Sequence, residues 1–172
     1  MFSNSIVITG FMAAGKTTVA AELASELGFE FIDLDALIVR EQSAEISEII
    51  NSQGEAAFRE IETRALKAAF EGKEPCVIAL GGGAWTIEQN RNLVRENHAA
   101  SVWIDTPFEF CWSRINETVG VRPLARDLAG TRKLFENRNE MYALADIRHS
   151  VQQTETAADI ARAIISKLGL LG

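Results

Sequence analysis

Gly10-Phe11-Met12-Ala13-Ala14-Gly15-Lys16-Thr17 fits G-x-x-x-x-G-K-[ST] at every fixed position. In such a run the glycines let the backbone curl so that successive N–H groups face an anion, and a helix opening there adds its partial positive charge. Lys16 brings a point charge to β- and γ-phosphates, and the Thr17 hydroxyl is of the type that ligates magnesium. Ala13, Ala14, Gly15 and Thr18 complete the phosphate-facing stretch. The chemistry indicated is the holding of a nucleotide's phosphates with magnesium, and which nucleotide chemistry follows is a separate question.

Asp33 and Asp35 stand two apart, where an extended backbone turns both to one side. Beside a phosphate loop, Asp33 can support a magnesium shell through water while Asp35 accepts the proton of an attacking hydroxyl. The plainer reading makes them strand-end and helix-cap residues. Gly81-Gly82-Gly83 suits either close approach of backbone N–H groups to a substrate or a tight strand-to-helix turn. Val121-Arg122-Pro123-Leu124-Ala125-Arg126 follows Gly120 in an irregular stretch, and an arginine there can close over a γ-phosphate as lids do. Arg59, among Glu55, Glu60 and Glu62, reads by itself as a solvated helix face, and Arg138 as a surface ion pair. His98 and His149 lack partners at metal-ligand spacing and read as loop or surface residues. Trp85, Trp103 and Trp112 read as packing residues, with Trp85 beside the glycine run placed to border a substrate.

The elements that must position these groups are short strands alternating with helices. Ile6-Val7-Ile8 leads into the phosphate loop, and Val19, Leu23 and Leu27 recur at helical spacing after it. Strands are expected at 29–33, 76–80, 101–105 and 147–151. Helices are expected at 37–40, 46–50 and 56–70, broken near Ser43 and at Gly54. Thr86 with Gln89 suggests a capping box for a helix to about Asn97, and Thr106-Pro107 a cap and first-turn proline for the next. Thr131–Ala143 reads as another helix, and Thr156 caps a last one stopped by Gly169. Such alternation means parallel pairing through right-handed crossovers, with helices on both faces of the sheet. Ligands of these sheets bind at the carboxyl ends of the strands, where the chemical residues above fall.

Composition narrows the setting. The 172 residues carry 17 Lys+Arg against 24 Asp+Glu, a net charge of −7, so any anion must be held by local groups rather than by a basic field. This argues against a nucleic-acid or membrane-surface partner. At this length a single domain, 1–172, buries enough surface to need no disulfide. Cys76 and Cys111 each lie in an apolar run and read as core thiols of a reducing, cytoplasmic compartment. The uncharged stretch from Met1 to Gly15 has no basic leader and is too short to span a bilayer.

Taken in order, Gly10–Thr18, Phe31-Ile32-Asp33-Leu34-Asp35, Gly54-Glu55-Ala56-Ala57-Phe58-Arg59, Leu80-Gly81-Gly82-Gly83-Ala84, Arg122-Pro123-Leu124 and Arg138-Asn139-Glu140-Met141-Tyr142 resemble the shikimate kinase family along the whole chain. The resemblance implies a nucleoside-monophosphate-kinase-like, three-layer α/β/α sandwich with a five-stranded parallel sheet, a substrate-binding helical segment at 34–70 and a mobile lid at 116–130. It implies transfer of the ATP γ-phosphate to the 3-hydroxyl of shikimate; a monomer is the default expectation, which the resemblance does not supply. By the same resemblance Asp35 binds substrate hydroxyls and acts as base, Arg59 and Arg138 grip the carboxylate, and Gly81, Gly82 and Gly83 lie against the ring. Asp33 joins Thr17 at the magnesium, Lys16 and the lid Arg122 act on ATP, and Arg114 stacks on the base.

Two positions depart from the family's pattern. Ala13 replaces a glycine in the phosphate loop, and Glu140 stands where proline is usual, which puts a further carboxylate two residues from Arg138. A gluconate or nucleoside-monophosphate kinase would share the phosphate loop without needing Asp35, Arg59, Gly82 and Arg138 together. A guanine-nucleotide switch would carry an Asn-Lys-x-Asp reader, which is missing, and Asp127-Leu128-Ala129-Gly130 matches a switch motif only by chance. A non-catalytic nucleotide-binding homologue is the remaining alternative.

Overall fold

A computed structural model describes residues 4–72, 74–117 and 127–169. Five strands, β1 (Ile6–Thr9), β2 (Glu30–Asp33), β3 (Cys76–Ala79), β4 (Ala100–Asp105) and β5 (Ile147–Ser150), form one parallel sheet in the order β2-β3-β1-β4-β5. The helices are α1 (Lys16–Leu27), α2 (Leu34–Gln42), α3 (Ile46–Gln53), α4 (Glu55–Ala69), α5 (Glu88–Glu96), α6 (Phe108–Glu117), α7 (Leu128–Tyr142) and α8 (Ala157–Lys167), with a short 3-10 turn at Ala84–Thr86.

Alternation within the central strand divides the core. Ile6 and Ile8 of β1 pack with Val77, Val102 and Ile104 against α1 and α8, while Val7 points to the opposite face with Ile78 and Trp103. That second face is covered by residues of α2 through α7, including Ile38, Ile49, Phe58, Val94 and Cys111. Both sides of β1 and β3 are apolar because both are covered, as a parallel sheet requires. The sheet turns outward on either side of β1. The loops after β1, β3 and β4 therefore converge at its carboxyl edge, the crevice where ligands of such sheets bind.

The breaks in the long helical segment occur at residues with left-handed backbone: Ser43 has φ 50° and Gly54 φ 89°. Thr156 and Asp159 form the reciprocal cap of α8. Two expected caps do not form as read. The Thr86 hydroxyl donates back to the Gly83 carbonyl at 2.7 Å, and α5 starts after Ile87 with no side-chain cap. The Thr106 hydroxyl donates instead to the carbonyl of Ala14 at 2.9 Å, tying the start of α6 to the phosphate loop. Helix α7 begins earlier than its apolar spacing indicates, because Asp127 caps it by accepting from Gly130 N at 2.7 Å. That cap accounts for the switch-like Asp127…Gly130 pattern. Of the lid expected at 116–130, residues 118–126, and Arg122 with them, lie outside the described residues.

Candidate active site

The phosphate loop is held in shape by its carbonyls. Lys16 Nζ donates across the loop to Phe11 O at 2.8 Å, Arg114 Nη1 to Ala13 O at 3.1 Å, and Thr106 to Ala14 O. Gly10 is required where it stands: with φ 145°, a Cβ there would lie 2.6 Å from the Ile104 carbonyl oxygen. Ala13 adopts φ 58°, so the residue that replaces glycine takes the left-handed backbone that glycine would occupy without cost. Gly15, with φ 94°, opens α1, whose first turn has neither a side-chain cap nor an acidic residue. The first N–H groups of a helix have no partner within it, so Lys16, Thr17 and Thr18 present donors to an anion.

Asp33 serves both readings left open by the sequence, one oxygen each. Its Oδ1 accepts from Ala36 N at 3.1 Å as the cap of α2, and its Oδ2 accepts from the Thr17 hydroxyl at 2.8 Å. A hydroxyl and a carboxylate in contact at the mouth of a phosphate loop are hard oxygen donors suited to magnesium, which keeps waters and phosphate oxygens for its other positions. A cavity of about 880 Å³ runs from Asp35 and Gly82 past Lys16 and Thr17 to Arg114 and the turn at Gln152, Gln153 and Glu155. The far end thus gathers Arg114, expected at the base, with a stretch the sequence left without assigned residues.

At the opposite end the three consecutive glycines face charged side chains, Gly81 two of them and Gly82 and Gly83 one each. A Cβ on Gly81 would lie 2.7 Å from Asp35 Oδ1; on Gly82, 3.4 Å from Arg138 Nη1; on Gly83, 2.7 Å from Arg59 Cζ. None of the three has the positive φ that would demand glycine on conformational grounds. Space, not backbone flexibility, is what they supply. Arg59 and Arg138 do not line the cavity itself; Arg138 lies against Gly82, which does, and Arg59 lies against the neighbouring Gly83.

Neither arginine is the surface group its neighbours in sequence suggest. Arg59 is largely buried and donates to Glu62 Oε2 at 2.9 Å and to Glu55 Oε1 at 3.0 Å. Burial pulls its ionisation down, but Glu62 and Glu55 together carry it above the ordinary arginine value. Arg138 is buried beside Gly82, whose carbonyl accepts from the Tyr142 hydroxyl at 2.5 Å. Glu140 is exposed, two residues on along α7 and so on another face of the helix from Arg138.

Glu62 was not among the expected site residues. It is fully buried, and its Oε1 has no hydrogen-bond partner among the described residues and lies 3.1 Å from where a Gly81 Cβ would be. Burial raises its carboxyl above the ordinary range; Arg59 opposes this and nearby Asp35 adds to it. The signal was a carboxylate inside the apolar helical stripe Phe58, Ile61, Ala65, three residues after Arg59.

His149 corrects its own reading. It is buried on β5 with Nε2 3.1 Å from Glu155 Oε1, whereas His98 is an exposed turn residue with φ 53°. Trp85 is buried with its indole N–H donating to Met141 O at 3.0 Å, so it braces the glycine turn against α7. Among the described residues no group of three or more His, Cys, Asp or Glu is placed to hold a metal, and no helix is long and apolar enough to cross a membrane.

The family model for shikimate kinase matches residues 12–169. A shikimate kinase of Persephonella marina is 36% identical over 149 residues, 87% of this chain and 90% of its own length. One of Ruegeria pomeroyi is 40% identical over 147 residues, 84% of this chain and 74% of its own. The solved structure of shikimate kinase from Acinetobacter baumannii in complex with shikimate superposes with TM-score 0.87 at 32% identity, covering 98% of this chain and 94% of that one.

Proposed function

The chain belongs to the shikimate kinase family, phosphotransferases with an alcohol group as acceptor, and on that premise we propose how its own residues move the γ-phosphate of ATP to the 3-hydroxyl of shikimate. The observation that carries the assignment is the matching of one glycine to each of Asp35, Arg138 and Arg59 at the end of a cavity that begins in a phosphate loop. A small polyol bearing a carboxylate needs a carboxylate for its hydroxyls and guanidinium forks for its own charge, in one confined place.

Asp35 accepts the proton of the 3-hydroxyl as its oxygen attacks the γ-phosphorus; the new O–P bond forms as the bond to the β-phosphate oxygen breaks, and ADP leaves. Lys16 and the first turn of α1, with the backbone of Ala13, Ala14, Gly15, Thr17 and Thr18, hold the phosphates in line. Arg59 and Arg138 grip the carboxylate; the Arg59 fork has more N–H donors than Glu55 and Glu62 consume. The backbone of Gly81, Gly82 and Gly83 lies against the ring. Arg122 closes over the phosphates from the lid, and Arg114 stacks on the base.

Thr17 and Asp33 would hold Mg2+, which when bound offsets the charge of the phosphates. The contact between those two side chains supports the pairing. Every group given a role belongs to one chain, so the reading needs only a monomer. The compartment proposed is the cytoplasm, consistent with both cysteines being buried free thiols. No nucleic-acid or membrane partner is part of the reading.

The test is ADP release from magnesium-ATP with shikimate, set against gluconate, AMP and no acceptor, with mass spectrometry of the product. Turnover with shikimate alone, yielding a monophosphate, is expected. Turnover with another acceptor in its place overturns the assignment.

A further inference from the structure

A buried polar side chain has given up water, so what it gains in exchange is informative. His149 is such a group. Strand alternation along β5 puts it on one face with Ile147 and Val151, which belong to the apolar core shared with Ile160 and Ile164 of α8. An apolar residue would suit that place, yet the imidazole is buried there. Its gain is a hydrogen bond: Nε2 lies 3.1 Å from Glu155 Oε1, and because a carboxylate only accepts, the ring nitrogen donates.

The same carboxylate closes a turn. Its other oxygen accepts from Gln152 N at 2.6 Å, and Glu155 N donates to Gln152 O at 3.2 Å, so Gln152-Gln153-Thr154-Glu155 is joined at both ends through one residue. His149 is the sheet's hold on that residue. Val151, Gln152, Gln153 and Glu155 line the cavity at the end that also holds Arg114, away from Asp35 and Gly82. A nucleotide whose last phosphate faces Asp35 across Lys16 and Thr17 extends its base toward this turn. The backbone of the turn then sets the width of the base end, and a wall fixed in advance costs less to order on binding.

We propose that His149 is a positioning residue of the nucleotide site: its bond to Glu155 latches the turn at 152–155 to the sheet and so fixes the wall against which the base packs. This rests on the reading that ATP lies in the cavity with its base beside Arg114. The effect falls on the base and not on the phosphates, which the loop at 10–18 holds, nor on the acceptor at Asp35.

His149→Leu removes the donor and leaves an apolar side chain in apolar surroundings, so the fold is kept. His149→Gln returns an amide N–H to the same carboxylate. Two ligands are titrated calorimetrically with magnesium: ATP, and inorganic tripolyphosphate, which has the phosphates and no base. For His149→Leu the Kd of ATP is expected to rise about tenfold, the scale of one hydrogen bond to a charged group, with the Kd of tripolyphosphate and the KM for shikimate unchanged. His149→Gln is expected to recover most of the loss.

Equal weakening of ATP and tripolyphosphate makes His149 a structural residue and overturns the proposal. Unchanged ATP binding in His149→Leu overturns it too, as does a His149→Gln no better than His149→Leu, which would put the effect in packing. A wild type that binds tripolyphosphate as tightly as ATP has no hold on the base, and the reading of the cavity falls with the latch. Shikimate turnover by the wild type tests the proposed reaction separately from all of these.

Discussion

The phosphate end and the acceptor end of the cavity are built on different principles. At the phosphate end a contiguous run, Gly10 to Thr18, curls on its own backbone, and side chains from elsewhere only brace its carbonyls. At the acceptor end nothing is contiguous: Asp35 comes from α2, Arg59 and Glu62 from α4, Gly81 to Gly83 from the turn after β3, and Arg138 and Tyr142 from α7. The difference teaches where each can vary. Backbone N–H groups do not depend on side-chain identity, so the loop accepts alanine at position 13. A methyl at Gly81 would displace the Asp35 carboxylate, and one at Gly83 the Arg59 guanidinium.

The comparison is broken most severely at Asp35. Asp35→Asn keeps shape and removes the base, and turnover is expected to fall by about 10²–10⁴-fold, while ATP binding measured by calorimetry stays intact. Equal loss of ATP binding would mean that the two ends are one site. Lys16→Met strikes the other end. It should lower kcat by about 10²–10³-fold through lost transition-state charge stabilisation, with KM for shikimate little changed; unaltered turnover would contradict the phosphate-loop role.

Glu62→Gln sharpens the contrast through pH. The carboxyl of Glu62 ionises above its ordinary value of 4.5 in the folded chain, first because it is buried. A raised folded pKa means that its contribution to stability is complete below about 4.5 and is lost as pH rises through the folded value. The wild-type Tm should therefore fall relative to Glu62→Gln across that window, about 2–4 °C for each kcal/mol at this chain length. A difference that is constant with pH would show that Glu62 titrates as it does in the unfolded chain. Ala13→Gly has the smallest expected effect. Relief of left-handed backbone strain is partly offset by the greater freedom of glycine in the unfolded chain, a net gain of about 0.5 kcal/mol. Thermal melts should register it as a slight rise in Tm with KM for ATP unaltered; a fall would show that the alanine methyl makes contacts worth more than the strain.

Much of this was legible in the residues. The five strands, the breaks at Ser43 and Gly54 and the cap at Thr156 were readable because short-range backbone preferences decide them. The roles of Thr86 and Thr106 were not, since a hydroxyl near a helix start has competing acceptors whose position depends on the fold. His149 misled for the same reason: Glu155, its partner, is brought to it by a turn and not by ligand spacing along a strand.

The chain by itself determined the phosphate loop, the parallel α/β architecture and, through its ordered motifs, the family. Each depends on contiguous residues whose types set backbone shape or periodic burial. Only the tertiary structure decided that Glu62 is buried against Arg59, that the three glycines face Asp35, Glu62, Arg138 and Arg59, and that the Tyr142 hydroxyl meets the Gly82 carbonyl. Those pairings join groups from α2, α4, α7 and the turn after β3, and their distances are set by how the crossovers pack on the sheet. Burial then turns ordinary surface residue types into strongly interacting ones, because no water remains between them to screen the charge.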